Sequence, residues 1–194
     1  MAFEFAQSQA GTVQVDLDVI ASISIRTAQF WAEAHGWAPK DAADALSRAR
    51  LDWLASFSRT LKFRVQEVTE HPDEPAALSC AWVHLRTLVE GNLKLFLTVF
   101  LSDYMADSHA PKSQKAGTSL EPDTLSLEAI RQFLVKRDLL PAHHSFIEII
   151  QKRGNTIHAF ADKPIGSGEE FLECLHGYRL FLADLEDSLP NPYS

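Results

Sequence analysis

The sequence predicts an all-α protein, an up-down bundle of about six helices, and three features of the chain lead to this fold class. Apolar residues recur every three or four positions over long segments, which is the spacing of one helix face. Strict alternation of polar and apolar residues, typical of half-buried β-strands, is nearly absent. Proline and glycine cluster between the periodic segments, where a helical chain has to turn.

Two helices are predicted in the first third of the chain. The first spans residues 16–35 and ends at Gly36. The second begins after Pro39 and places apolar side chains on one face at Leu46, Ala49, Trp53, Phe57 and Leu61. The segment HPDEP, residues 71–75, then breaks the helix. We therefore predict an N-terminal helical arm, residues 1–70, and a helical bundle, residues 75–189.

The third predicted helix, residues 76–106, is apolar nearly all round after Leu93, so we expect it to be buried. Residues 107–123 are polar with proline and glycine, which indicates a flexible loop. Ser126 can cap a fourth helix that ends near Lys136, and Pro141 opens a fifth. After Gly166, the sixth helix has the spacing of a packed seam at Phe171, Leu175, Tyr178, Leu182, Leu185 and Leu189.

Composition excludes several classes of protein. With 194 residues, 46% of them hydrophobic and 23% charged, the chain fits an ordinary globular protein that needs no metal or disulfide for stability. Its two cysteines, Cys80 and Cys174, are too few for a disulfide framework and fall on apolar faces, so we expect core positions and a cytoplasmic location. The start of the chain lacks the pattern of a secretory signal, and residues 93–101 are too short an apolar run for a membrane span. The net charge of −8 repels nucleic acid on average, so such binding would need a local basic patch.

Arg153 stands in the middle of the apolar stripe of the fifth predicted helix. On a regular helix the apolar members of the stripe lie within a sector about 100° wide; they are Phe146, Ile149, Ile150, Ile157 and Phe160. Moving a guanidinium out of water costs several kcal/mol unless it is paired and hydrogen-bonded. We therefore expect an anion, from the protein or from a ligand, at Arg153.

Arg153 and His158 together have the groups needed to handle a phosphodiester. They lie about 140° apart on a regular helix, so they converge only across a distortion or between two subunits. Gly154, unfavourable inside a helix by about 1 kcal/mol, indicates such a distortion or the close approach of a second backbone. Asn155 lies one turn before His158, within reach of the imidazole or of a bound phosphate.

Two stretches of the chain resemble the HEPN domains, helical modules of which many are ribonucleases of toxin–antitoxin, defence and RNA-processing systems. RGNTIHAF, residues 153–160, is similar to the family signature of Arg, four to six residues, and His. AWVHLRTLVEGNLKLFL, residues 81–97, is similar to the long early helix of that family. The resemblance covers about residues 75–189 and implies a HEPN-like bundle. It also implies a symmetric homodimer that cuts RNA without metal, through attack of the ribose 2′-hydroxyl.

The resemblance also implies roles for individual residues. His158 would act as general acid or base, because an imidazole can take or give a proton near neutral pH. Arg153 would stabilise the charge that develops on the phosphate. Lys152 would attract the substrate, and Asn155 would orient the phosphate or His158. No cofactor is implied, and a toxin of this type would be silenced by a cognate antitoxin protein.

Two alternatives remain open from the residues alone. Arg153 can pair with a core carboxylate such as Glu90 or Glu173, so that the dimer is purely structural. The chain can also be a catalytically inactive HEPN-like module that binds a nucleotide or a protein. A metal site is not expected, because Glu173 and His176 form the only Glu-x-x-His pair, whereas a di-iron bundle needs two. The adjacent His143 and His144 point to different faces of a helix.

Overall fold

Helices account for the architecture, and the all-α prediction is confirmed. A computed structural model describes residues 2–155 and 164–190, with the backbone alone over residues 2–10. The described residues form eight α-helices: α1 Ala2–Ala32, α2 Lys40–Arg48, α3 Leu51–Glu70, α4 Pro75–Val99, α5 Leu101–Ala106, α6 Leu127–Arg137, α7 His144–Gly154 and α8 Gly168–Ser188. No helix among these residues is both long enough and apolar enough to cross a membrane.

The number of helices differs from the prediction because two predicted helices are each broken once. The chain becomes extended at Ala49 (φ −70°, ψ 142°), which separates α2 from α3. It leaves helical geometry again at Phe100 (φ −97°, ψ 34°), between α4 and α5. Helix α2 contacts α1, α4 and α5, whereas α3 contacts α1, α4 and α8, so each helix has one neighbour that the other lacks. The apolar spacing continues across both breaks, and periodicity alone therefore does not reveal them.

One hydrophobic core joins the early helices to the later ones. Helix α1 packs against α3 and α8, and α4 packs against α3, α7 and α8. The same cluster of buried side chains includes Ile20 of α1, Leu61 of α3, Leu88 of α4 and Phe171 of α8, all 0% exposed. Helix α1 begins at Ala2, well before the predicted residue 16. The N-terminal helices thus bury apolar surface against the helices of residues 75–189.

Four helices meet at a buried polar cluster that consists of Ser24 of α1, Ser58 of α3, Asn92 of α4 and Tyr178 of α8. The Asn92 side-chain amide donates to the Tyr178 hydroxyl at 2.9 Å, and the Ser58 hydroxyl donates to that of Ser24 at 2.8 Å. Burial raises the pKa of Tyr178, and hydrogen bonding to Ser58, Ser24 and Asn92 acts in the opposite direction. Because a buried polar group needs its partner, the cluster fixes how the four helices are aligned.

A second polar contact joins α1 to α8 near their outer surface. Asp16 is only 4% exposed, and its two carboxylate oxygens lie 2.7 Å from Arg179 Nε and 2.9 Å from His176 Nδ1. Two side chains of α8 therefore contact this buried carboxylate, and the Arg179 guanidinium supplies a compensating charge. His176 of the single Glu-x-x-His pair is engaged in this contact.

Residues 107–123, which we predicted to be a flexible loop, make specific contacts with the end of the bundle. The Tyr104 hydroxyl donates to the Leu120 carbonyl at 2.8 Å, and the Ser119 hydroxyl donates to that of Met105 at 3.1 Å. Ala110 and Pro122 are buried. The segment is therefore packed against α4 and α5 although it has almost no regular structure.

We predict that Tyr178→Phe destabilises the protein by about 1–3 kcal/mol, since it leaves one N–H of the buried Asn92 amide without an acceptor while the other keeps its bond to the Leu88 carbonyl. Urea unfolding followed by circular dichroism measures the change. Tyr104→Phe is the comparison: it also removes a buried tyrosine hydroxyl, but that hydroxyl bonds one carbonyl at the edge of the bundle. A smaller loss from Tyr178→Phe than from Tyr104→Phe would show that the central cluster does not align the helices.

Candidate functional site

The residues that the sequence singled out stand at the C-terminal end of α7. Lys152 and Arg153 occupy its last turn, where positive charge interacts favourably with the helix dipole. Lys152 is exposed, and its Nζ lies 2.6 Å from Glu148 Oε1 one turn earlier. Asn155 is the half-buried residue that follows the helix. His158, and the predicted continuation of the stripe at Ile157 and Phe160, lie outside the described residues.

Arg153 is held by the beginning of α8. Its Nη2 donates to both carboxylate oxygens of Glu170 at 2.9 Å, and its Nε donates to Oε1 at 3.1 Å. Its Nη1 donates to the carbonyl of Pro164. The side chains of Arg153 and Glu170 are 22% and 29% exposed. The largely buried guanidinium therefore connects the end of α7 to the start of α8 through hydrogen bonds and an ion pair.

The residues at the start of α8 position the Glu170 carboxylate next to Arg153. Ser167 caps the helix by accepting a hydrogen bond from the Glu170 backbone amide at 3.2 Å. Ser167 and Glu170 have the spacing of a capping box, in which the glutamate would normally turn back to the cap residue; here its carboxylate faces Arg153 instead. Gly166 has φ +77°, and a Cβ there would overlap the Glu170 carboxylate. A side chain at position 166 would thus disturb the ion pair.

The anion expected at Arg153 is supplied by the same chain. The alternative prediction that Arg153 pairs with a carboxylate of its own chain is confirmed. The two carboxylates suggested for it, Glu90 and Glu173, were wrong. Glu90 pairs instead with Lys94, with Nζ to Oε1 at 2.9 Å, and Glu173 is exposed. Glu170 was not predicted, because the spacing of residues within one helix does not show which charges pair between two helices. The capping-box sequence SGEE, residues 167–170, was the only sign that a carboxylate would stand at the start of α8.

Gly154 makes room for a side chain of α4. It is buried, does not have a positive φ and is the last residue of α7; the distortion predicted between Arg153 and His158 falls mainly on residues outside those described. A Cβ at Gly154 would lie 2.6 Å from the Cβ of Arg86 and 3.0 Å from its Cγ. The close approach expected at this glycine is therefore real, but what approaches is the stem of Arg86 and not a second backbone.

Arg86 of α4 lies beside Gly154, and the sequence motifs did not point to it. Its side chain is 28% exposed, and within the described chain its ion pair with Glu90 spans 3.8 Å, from Nη2 to Oε2. Its Nε is buried and has no hydrogen-bond partner among the residues that the structure describes. One turn earlier, Trp82 Nε1 donates to the carbonyl of Ile165 at 2.7 Å. Every fourth residue along one face of α4 is polar or has a polar group, and this spacing is visible in the sequence: Trp82, Arg86, Glu90 and Lys94.

Other kinds of site find little support in the described part of the chain. No group of three or more His, Cys, Asp or Glu side chains there could hold a metal ion. Cys174 is buried, and burial raises the pKa of its thiol to about 11, so it is a poor nucleophile. The expectation of a core position is wrong for Cys80, which is exposed. A groove of about 900 Å³ between α2, α3, α4 and α5 includes the exposed Trp53 and Phe57 in its lining, but neither Arg86 nor Arg153.

We predict that Arg153→Met and Glu170→Gln each destabilise the protein, because each leaves the other charge largely buried without its counter-charge. Since both groups are partly exposed, we expect a loss of about 1–2 kcal/mol for each, below the values for fully buried pairs. The double variant should recover part of this loss, which urea unfolding of all four proteins measures. Lys152→Met is the matched control, because its exposed pair with Glu148 should contribute little. Additive losses in the double variant would exclude a coupled pair.

We predict that Gly154→Ala destabilises the protein by about 1–3 kcal/mol, because the new methyl group overlaps the stem of Arg86. Gly11→Ala in α1 is the control: a Cβ there meets nothing within 4 Å, so it should be neutral or stabilising. Thermal unfolding of both variants gives the comparison. A Gly154→Ala protein as stable as the Gly11→Ala protein would contradict the packing at Gly154.

Comparison of the chain with models of known protein families gives no match. Comparison with curated proteins gives none, and comparison with solved structures gives none.

Proposed function

We propose that this chain is a catalytically inactive HEPN-like module that binds a phosphate-bearing ligand, RNA or a nucleotide, where α4 meets the end of α7. The observation that supports this proposal is the ion pair between Arg153 and Glu170. Glu170 already neutralises the guanidinium to which the HEPN resemblance assigns the developing charge of a reacting phosphate. A catalytic role would require Arg153 to give up its bidentate bond to the Glu170 carboxylate.

Binding without cleavage uses other groups at the same place. Lys152 is exposed at the end of α7 and can contribute long-range attraction. Arg86 supplies a cation from α4 that has only a long ion pair in the described chain. These local charges matter because the protein as a whole carries a net charge of −8. The proposal includes a homodimer with the α7 helices near the two-fold axis and a cytoplasmic location.

The second candidate function is the metal-independent endoribonuclease of HEPN type. It is favoured by the partial exposure of the ion pair, 22% for Arg153 and 29% for Glu170, because a phosphate of the substrate could take the place of the carboxylate. In this candidate His158 transfers the proton, Arg153 stabilises the phosphate, Asn155 orients it and Lys152 attracts the RNA. A cognate antitoxin would then bind the dimer and block the cleft.

One pair of assays distinguishes the two candidates. Purified protein is incubated with a labelled single-stranded RNA in EDTA, and binding of the same RNA is measured by fluorescence anisotropy at low salt. We expect the RNA to bind and to remain intact, because Arg153 stays paired with Glu170.

If the protein cleaves the RNA in EDTA and His158→Ala abolishes the cleavage, the endoribonuclease is the correct function and the inactive binding module is excluded. If the protein neither binds RNA or nucleotides nor cleaves RNA, both candidate functions are contradicted. A heat-treated sample of the same protein serves as the control for contaminating nuclease.

A further inference from the structure

The groove between α2, α3, α4 and α5 is long and narrow. Its lining includes a stripe at helical spacing that runs along α4 and continues into α5: Thr87, Gly91, Leu95, Thr98, Leu101 and Met105. At 1.5 Å per residue this stripe is about 25 Å long. The volume of about 900 Å³, spread over that length, leaves a cross-section of roughly 35 Å². This is room for one row of side chains, which stand about 5–6 Å apart on a helix face.

The groove also leaves aromatic surface in contact with water. Trp53 and Phe57 of α3 are 56% and 42% exposed, and both lie in its lining beside the buried side chains of Leu46, Leu51 and Leu95. The two aromatic residues are one helical turn apart, so their rings stand on the same face of α3. A row of apolar side chains laid along the groove would remove this surface from water.

Four carboxylates line the groove, and they come from two separate parts of the chain. Asp41 and Asp44 belong to α2, whereas Glu121 and Asp123 lie in the segment before α6. Within the described ranges, Asp44 has a contact of 3.9 Å with His35, and no basic side chain forms an ion pair with the other three. These carboxylates are therefore available to a basic partner.

The basic side chains in the lining compensate little of this charge. Arg50 is 2.7 Å from Asp52, and Lys94 is 2.9 Å from Glu90, so both are already paired. Arg48 is exposed and has no ion pair among the residues that the structure describes. Four carboxylates against one guanidinium leave the groove negative. A second copy of this chain, with a net charge of −8, is repelled from it on average.

We infer that the groove binds a basic amphipathic helix of a partner protein. The apolar stripe of that helix covers Trp53 and Phe57, and Lys or Arg side chains beside the stripe face the carboxylates. A helix of about 17 residues has the length of the groove, and one row of its side chains fills the width. Neither Arg86 nor Arg153 lines the groove, so binding here is independent of phosphate binding at the end of α7.

The test uses labelled synthetic helices and the full chain. The probe is a panel of stapled peptides of about 18 residues, with Leu or Phe at every third or fourth position and Lys on both flanks. One control peptide replaces every Lys by Glu, and another has the composition of the probe in an order that forms no stripe. Fluorescence anisotropy at fixed salt measures the affinities. We expect at least one Lys peptide to bind about tenfold more tightly than either control.

Two phenylalanines of α3 form a matched pair of variants. Phe57 and Phe63 are 42% and 51% exposed, but only Phe57 lines the groove. We expect Phe57→Ala to weaken binding of the Lys peptide about tenfold and Phe63→Ala to change it less than about twofold.

The carboxylates are tested by a second pair of variants, whose exposed positions should leave the fold intact. Glu121→Gln combined with Asp123→Asn removes two charges from the groove, and we expect about fivefold weaker binding of the Lys peptide. Asp73→Asn combined with Asp187→Asn removes as many charges at exposed positions outside the lining, and should change the affinity less than about twofold.

Several results would overturn the inference. Equal affinity for the Lys and Glu peptides would show that the carboxylates do not select the partner, and tight binding of the control without a stripe would exclude a helix. Equal affinities of Phe57→Ala and Phe63→Ala would place the peptide elsewhere on the protein. If no peptide of the panel binds, the inference is wrong; if light scattering then shows that Phe57→Ala dissociates a dimer, the occupant of the groove is a second copy of the chain.

Discussion

The structure depends on the buried polar cluster in which Ser24, Ser58, Asn92 and Tyr178 come together from four helices. Apolar side chains tolerate small shifts between helices, but a buried amide or hydroxyl needs its partner at hydrogen-bond distance. The Asn92 to Tyr178 bond therefore sets the rotation of α4 relative to α8. With this rotation, the face of α4 about a third of a turn away carries Trp82 and Arg86. The cluster thus determines which side chains α4 presents to α7.

Around the end of α7, two side chains hold consecutive backbone carbonyls. Arg153 bonds the carbonyl of Pro164, and Trp82 bonds that of Ile165. Glu170 completes the arrangement by fixing Arg153 from the first turn of α8. Three helices are therefore joined at the point where the chain enters α8. This explains why a cation can lie in an apolar stripe, since Glu170 and the Pro164 carbonyl of the same chain accept its hydrogen bonds.

Much of the fold was predictable from the sequence, because helix periodicity and capping are local. The cap of α6 at Ser126 and the start of α8 after Gly166 follow from residues within a few positions of each boundary. The breaks at Ala49 and Phe100 were not predictable, since tertiary packing imposes them on continuous apolar patterns. For the site, the need for an anion at Arg153 followed from solvation energy alone. Its identity, Glu170, and the reason for Gly154 depend on pairings between distant segments, which one sequence does not reveal.

The contrast between the two cysteines has a practical consequence. Cys174 is buried and its thiol pKa is raised to about 11, while Cys80 is exposed near the start of α4. Because the thiolate is the form that reacts, a maleimide dye should couple to the native chain at a single position, two residues from Trp82. Without any engineered cysteine, the protein therefore offers a fluorescent reporter on the helix that carries the central polar contact.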